Sequence, residues 1–227
     1  MTRDLLLPAV LSAALIAAVL LAFQTGLIGG LRANATEPSS AVKANEEWKD
    51  AATSPAIAVF AGGCFWCVEA DFDKVEGVLE TVSGYTGGDL ENPTYKRVSY
   101  EETGHYEAVA IRFDPAVVSY ETLVEYFFRH VDPTDAGGQF CDRGSSYRTA
   151  IFVNSPEQKA VADAGKTSAQ AALGQEIVTP VLNIKAFWRA EDYHQDYYLK
   201  NRLRYRYYRA ACGRDRRVQQ LWGEKSS

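Results

Sequence analysis

The apolar and polar positions of this chain fall into blocks that read as strands and helices in turn. Residues 56–61 (A-I-A-V-F-A) form a short, wholly apolar run between Pro55 and two glycines, the mark of a buried strand. Residues 64–75 have helical spacing, with Trp66, Val68, Ala70 and Phe72 as inward positions, and Gly77 ends them. Residues 78–85 alternate and are rich in β-branched side chains, a second strand. The chain breaks at Thr86-Gly87-Gly88-Asp89, and residues 90–104 read as a long loop, a kind often functional in compact domains. Residues 105–113 are a third strand, stopped by Asp114-Pro115. Ser119 caps a helix whose inner face carries Leu123, Phe127 and Val131. A second irregular stretch covers residues 132–147, and residues 148–154 are a fourth strand. Pro156 opens a helix to about Leu173, closed by Gly174. Residues 177–181 and 184–188 are extended, and residues 190–209 are charged, Tyr-rich and helical in patches. The order β-α-β-β-α-β followed by α-β-α predicts an α+β fold. Its form is a two-layer sandwich with a split βαβ (ferredoxin-like) core, an extra helix and a C-terminal tail.

The N-terminus has a different pattern. Residues 5–23 are apolar apart from Ser12 and Pro8, long enough for a membrane anchor at about 20 residues per span. Ala33-Asn34-Ala35 resembles a signal-peptidase site, which favours a cleaved signal peptide. Either reading exports the rest of the chain, to the periplasm or to the outer face of a membrane. The expected organisation is a signal peptide or anchor at 1–35, a polar linker at 36–54, a catalytic domain at 55–197 and a tail at 198–227.

Composition narrows the classes. The chain has 227 residues, 47% of them hydrophobic, enough for one cored domain, and its net charge of −5 argues against a nucleic-acid partner. Four cysteines, Cys64, Cys67, Cys141 and Cys212, are too few and too scattered for a disulfide scaffold. They lack the paired knuckles of a zinc site, so no metal is expected. The basic run from Lys200 to Arg217 reads as a solvated face.

Chemistry concentrates at Gly62-Gly63-Cys64-Phe65-Trp66-Cys67. Two glycines join a strand end to a helix start and leave Cys64 at the helix N-terminus, where free N–H groups and the helix dipole favour a thiolate. The Cys64 pKa is therefore expected below that of a free thiol. That activation alone is weak. Falling from about 8.5 to about 7 gains only about three-fold in reactivity at neutral pH, because nucleophilicity falls with basicity. A Cys-x-x-Cys pair also fits a thioredoxin-like oxidoreductase. If Cys64 and Cys67 shared one helical turn, closing their disulfide would need local distortion.

Six ordered motifs carry a specific resemblance. They are Gly63-Cys64-Phe65-Trp66, Gly84-Tyr85-Thr86-Gly87-Gly88, Asn92-Pro93-Thr94-Tyr95, Thr103-Gly104-His105-Tyr106-Glu107, Asp142-Arg143-Gly144-Ser145-Ser146-Tyr147-Arg148 and Ala190-Glu191-Asp192-Tyr193-His194-Gln195. Together, across residues 56–197, they resemble the type A peptide methionine sulfoxide reductases. The resemblance implies that the Cys64 thiolate attacks the sulfur of methionine S-sulfoxide, free or in proteins. Methionine leaves, Cys64 becomes a sulfenic acid, a second cysteine condenses with it, and an external dithiol such as thioredoxin restores the enzyme. It also implies no cofactor and a protein that works as a monomer.

The resemblance assigns Glu107 as the acid for the sulfoxide oxygen, protonated because it is buried in a strand. Tyr95 and Tyr147 become donors to the same oxygen, Asp142 a supporting carboxylate, and Phe65 and Trp66 the seat of the substrate methyl. His105 is read as orienting a strand end, His130 as a cation suited to a helix C-terminus, and His194 as packing. The resolving cysteine departs from the commonest pattern. Cys67 stands where many members have Gly, and Cys212-Gly213 lies in a tail without a Gly-rich two-cysteine ending. Cys212, on a mobile tail, is the first choice as resolver, Cys67 the second and Cys141 the third. Two rivals stay open: an exported thiol–disulfide oxidoreductase needing only Cys64 and Cys67, and a non-catalytic module that binds oxidised segments.

Overall fold

The computed structural model describes residues 56–223. The apolar N-terminal segment and the polar linker lie outside those residues. Among the described residues no helix is long and apolar enough to cross a membrane.

The first apolar run forms β1 (Ile57–Gly62), buried along its whole length. A strand apolar at every position must be covered on both faces. Ala58 and Phe60 enter one core, and Ile57, Val59 and Ala61 enter a second. β1 pairs antiparallel with β3 (Tyr106–Phe113) and with β6 (Thr149–Val153). β2 (Val78–Thr86) pairs with the far side of β3. Short β7 (Val181–Asn183) and β8 (Trp188–Arg189) complete a six-stranded sheet in the order β7-β6-β1-β3-β2-β8. Among the described residues only the β6–β7 pair is parallel. The α+β reading holds, but the predicted β-α-β-β-α-β order gains a helix between β2 and β3.

The larger core lies under α1 (Phe65–Phe72), α3 (Tyr120–Arg129) and α4 (Pro156–Leu173), all on one face of the sheet. Phe60 stacks on Phe72 at 5.3 Å and on Phe127 at 4.9 Å between ring centroids. Each such ring contributes about 1.5–3 kcal/mol by leaving water. The opposite face is covered by Phe187, Leu182 and Ile184.

The structure departs from expectation in three places. The long loop contains a helix, α2 (Tyr95–Tyr100), which Thr94 caps by accepting from the Arg97 N–H. Six residues are too few for a hydrophobic period to show. The last strands fall a few residues later than read, because Ile177 is buried without being in the sheet. The residues read as a mobile tail form α5 (Tyr197–Lys200), α6 (Arg202–Cys212) and α7 (Arg214–Trp222), packed on the domain. Two hairpin strands, β4 (Gly138–Gln139) and β5 (Asp142–Arg143), and a 3-10 turn at Ser145–Tyr147 shape the second irregular stretch.

Candidate active site

The backbone between β1 and α1 has to turn sharply against a neighbour. Gly63 has φ +82°, and a Cβ there would sit 2.5 Å from the Cβ of Gln139. This turn delivers Cys64 as the N-cap of α1, with non-helical φ −49° and ψ 116°. Cys64 is 6% exposed and Cys67, a turn inside, is 2% exposed. Both are free thiols, and they share a hydrogen bond. Because Cys64 precedes the helix, the two sulfurs meet without the helical spacing that the sequence suggested.

The predicted low pKa of Cys64 does not hold. Burial pushes its thiol well up, and the Cys67 and Glu107 charges push it further. The helix donor that was to serve the thiolate, the Phe65 N–H, is given to Glu107 Oε2 at 3.0 Å instead. Cys67 moves the other way. It accepts from the Cys64 S–H and feels the Arg214 and Arg209 guanidinium groups, so its pKa falls. The pair's first negative charge therefore sits on Cys67.

Glu107 lies on β3 opposite Tyr85 and is 2% exposed. Burial raises its carboxyl to about 8, against the Phe65 N–H and with help from the Asp142, Cys67 and Glu191 charges. It holds its proton at neutral pH. Tyr95 and Tyr147 are hydrogen-bonded to each other, and burial keeps both phenols protonated. Asp142, on β5, has its pKa raised, because burial outweighs the lowering by the Tyr208 hydroxyl and the Arg214 charge. These groups line one cavity of about 70 Å³ together with Cys64, Phe65, Trp66 and Tyr208. The cavity thus gathers the predicted nucleophile, acid, tyrosines, carboxylate and aromatic pair.

Several of its supports were not singled out in the sequence. Tyr197 stacks on Trp66 with centroids 3.7 Å apart and planes 7° apart. Trp66 Nε1–H donates to His194 Nδ1 at 3.0 Å, and burial depresses the His194 pKa to about 4, which keeps it a neutral acceptor. His194 does more than pack. Glu191 accepts from the Tyr85 hydroxyl and from the Tyr95 N–H, both at 2.9 Å. The Gln195 amide bonds both the N–H and the C=O of Ser83 on β2. The 191–195 motif is therefore the bracket that fixes the cavity's aromatic wall. His105 is buried and pins the loop at Gly88 N–H and at the Leu90 carbonyl. Burial lowers the His130 pKa, so it is not the helix-end cation expected of it.

Cys212 is bonded to Cys141 and not to Cys64. The disulfide sits beside the Asp142 carboxylate. Nor is the basic run wholly solvated. Arg214 is 2% exposed and donates to the carbonyls of Gly62 and His130, both at 3.0 Å. Arg209 pairs with buried Asp71 of α1 at 2.9 Å, with Arg214 on the same carboxylate at 3.7 Å. Asp71 needs cations in a place without water, and the tail supplies them. Arg202, Arg204 and Arg206 are exposed, as the sequence suggested.

The model of the family described as peptide methionine sulfoxide reductase matches residues 56–226, so the likeness runs through the tail helices as well. The peptide methionine sulfoxide reductase MsrA 2 of Rhizobium meliloti is 55% identical over 175 residues, which cover 77% of this chain and 87% of that protein. The MsrA enzyme of Bacillus subtilis is 52% identical over 171 residues, covering 74% and 97%. Among solved structures, reduced Mxr1 of Saccharomyces cerevisiae superposes with a TM-score of 0.62 at 32% identity, covering 64% of this chain and 85% of that one. Methionine sulfoxide reductase A of Corynebacterium diphtheriae gives 0.58 at 30%, covering 66% and 77%. With its cavity, its motifs and these relatives in agreement, the chain belongs to the peptide methionine sulfoxide reductase family.

Proposed function

We propose that this protein reduces methionine S-sulfoxide, free and within proteins, with Cys64 as nucleophile, Glu107 as acid and Cys67 as first resolver. The observation that carries the reading is a carboxyl protonated at neutral pH in the same small cavity as the buried Cys64 thiol. As Cys64 attacks the sulfoxide sulfur, its proton passes to the Cys67 sulfur. Glu107 gives its proton to the departing oxygen, a step that can contribute about 10²–10⁴-fold. Tyr95 and Tyr147 donate to that oxygen, and Phe65 and Trp66 hold the methyl. Methionine leaves and Cys64 carries the S–OH. The Cys67 thiol then attacks Cys64, releasing water and forming the Cys64–Cys67 disulfide, and Glu107 takes a proton back from solvent. An external dithiol, such as that of a thioredoxin-like protein, takes the disulfide back to two thiols. No cofactor enters this scheme.

Cys67 is preferred to Cys212 because it is already hydrogen-bonded to Cys64, while Cys212 has spent its thiol on Cys141. The protein acts as a monomer outside the cytoplasm. The apolar run at residues 5–23 and Ala33-Asn34-Ala35 support export. A fusion of residues 1–60 to a reporter active only outside the cytoplasm tests it, and retention of a silent reporter inside would overturn it.

The decisive assay follows turnover of the two sulfoxide epimers with dithiothreitol. The S epimer should be consumed and the R epimer left. Equal use of both would overturn the epimer preference, and no turnover with brisk reduction of protein disulfides would favour a general thiol–disulfide oxidoreductase.

A further inference from the structure

One tail residue reaches into the cavity. Tyr208, on α6, donates to Asp142 Oδ2 at 2.5 Å and lines the cavity beside Cys64, whose pKa its hydroxyl lowers against the larger effect of burial. It stands edge-on to Trp66 at 5.9 Å. A single phenol thus stands between the nucleophile and the supporting carboxylate, and burial keeps it protonated. The disulfide is placed around this contact. Cys141 directly precedes Asp142, and Cys212 follows Tyr208 by four positions on the same helix, hence on the same face. The cross-link therefore ties together the two backbone segments whose side chains meet at the sulfur.

We propose that Tyr208 is a catalytic residue whose one O–H proton rests on Asp142 and turns to the Cys64 sulfur as that sulfur takes on charge. We further propose that the Cys141–Cys212 disulfide is a clasp that seats it, a positioning element and not a redox pair drawing electrons from Cys64. The proposal rests on the reductase reading above and deepens it. With the clasp closed, the phenol holds the carboxylate and then stabilises the attacking sulfur. With the clasp open, the end of α6 is free to lift from β5, and Cys64 loses a donor.

The test compares four chains: the parent, Tyr208→Phe, the Cys141→Ser/Cys212→Ser pair, and all three changes together. Each is prepared with Cys64 and Cys67 reduced, and the clasp, where present, is verified by mass. A first turnover of S-sulfoxide is followed without added reductant, so recycling plays no part. Loss of a hydrogen bond to a charged group predicts that Tyr208→Phe and the serine pair each slow it about ten-fold. The triple variant should slow it no further. The rate of Cys64 alkylation against pH, read by mass spectrometry, should move to higher pH in both variants. A purely structural defect would not give that shift. Should the serine pair lose its cooperative melt, the comparison is run in sucrose, which favours the compact state. A serine pair with the parent's first turnover and a stall only in later ones makes the disulfide a relay and overturns the clasp. A parent-like Tyr208→Phe overturns the catalytic donor, and losses that multiply in the triple variant overturn the link between them. A parent that turns over nothing would sink the reductase reading instead, leaving the alkylation profiles to judge the clasp.

Discussion

Replacing Glu107 by Gln should make the protein more stable and nearly inactive, and the size of the gain should depend on pH. Burial takes the carboxyl from its ordinary 4.5 to about 8 in the folded chain. Each tenfold change in proton affinity is worth about 1.4 kcal/mol, so ionised Glu107 costs the folded state about 5 kcal/mol. The folded chain binds the proton more tightly than the unfolded one. Stability is therefore complete below about pH 4.5, falls as pH rises, and levels off above about pH 8. At pH 7 the accumulated loss is about 3 kcal/mol. Gln cannot ionise, and its amide oxygen can still accept the Phe65 N–H that Glu107 now holds at 3.0 Å. Urea melts of both chains at pH 5, 7 and 9 should show a gap in favour of Glu107→Gln that opens from about 1 to about 5 kcal/mol. The first-turnover rate of the wild type should drop about ten-fold between pH 7 and 9, and the variant should sit at least about 100-fold below it at pH 7. A gap that stays constant with pH, or a variant less stable at pH 9, would refute the assignment of a strained, protonated acid.

The other expectations are brief. Cys64→Ser should leave under about one per cent of S-sulfoxide turnover, and more would mean that another thiol attacks. After one equivalent of sulfoxide and blocking of free thiols, peptide mapping should find Cys64 joined to Cys67; a Cys64–Cys212 link would restore the tail cysteine as resolver. The Cys141–Cys212 bond closes a loop with a sequence separation of 71, so breaking it should cost about 4 kcal/mol in a denaturant melt. An unchanged midpoint would place the two cysteines together in the unfolded ensemble already. Arg214→Met should cost about 3–5 kcal/mol by leaving Asp71 short of a buried partner, and a cost under 1 kcal/mol would show that Arg209 suffices.

The sheet and its main helices were legible because their signals are local. β1 is an unbroken apolar run, and α4 has Pro at its start and Gly174 in the left-handed conformation at its end. The gathering of Cys64, Glu107, Tyr95, Tyr147 and Asp142 was legible through the six motifs, not through spacing. What escaped was long-range. No local pattern says that Arg214 is the partner of Asp71, or that Tyr208 meets Asp142, since such pairs exist only once the tail is folded. The thiol pKa values failed for the same reason. A helix N-terminus was visible, but the competing acceptor Glu107 and the cations beside Cys67 come from other elements.

The position of Arg214 also bears on how the chain is made. Its bond to the Gly62 carbonyl spans 152 residues. At synthesis rates of about 5–20 residues per second, the strand end beside the nucleophile waits roughly 8–30 s for the arginine that covers it. For that interval Cys64 and Cys67 lack the Arg209 and Arg214 cations and the Tyr208 ring. A nascent chain stalled before its last helices would therefore present Cys64 and Cys67 as open thiols, exposed to stray oxidants and to holdase chaperones. The surroundings of the nucleophile are complete only once α6 and α7 have been made.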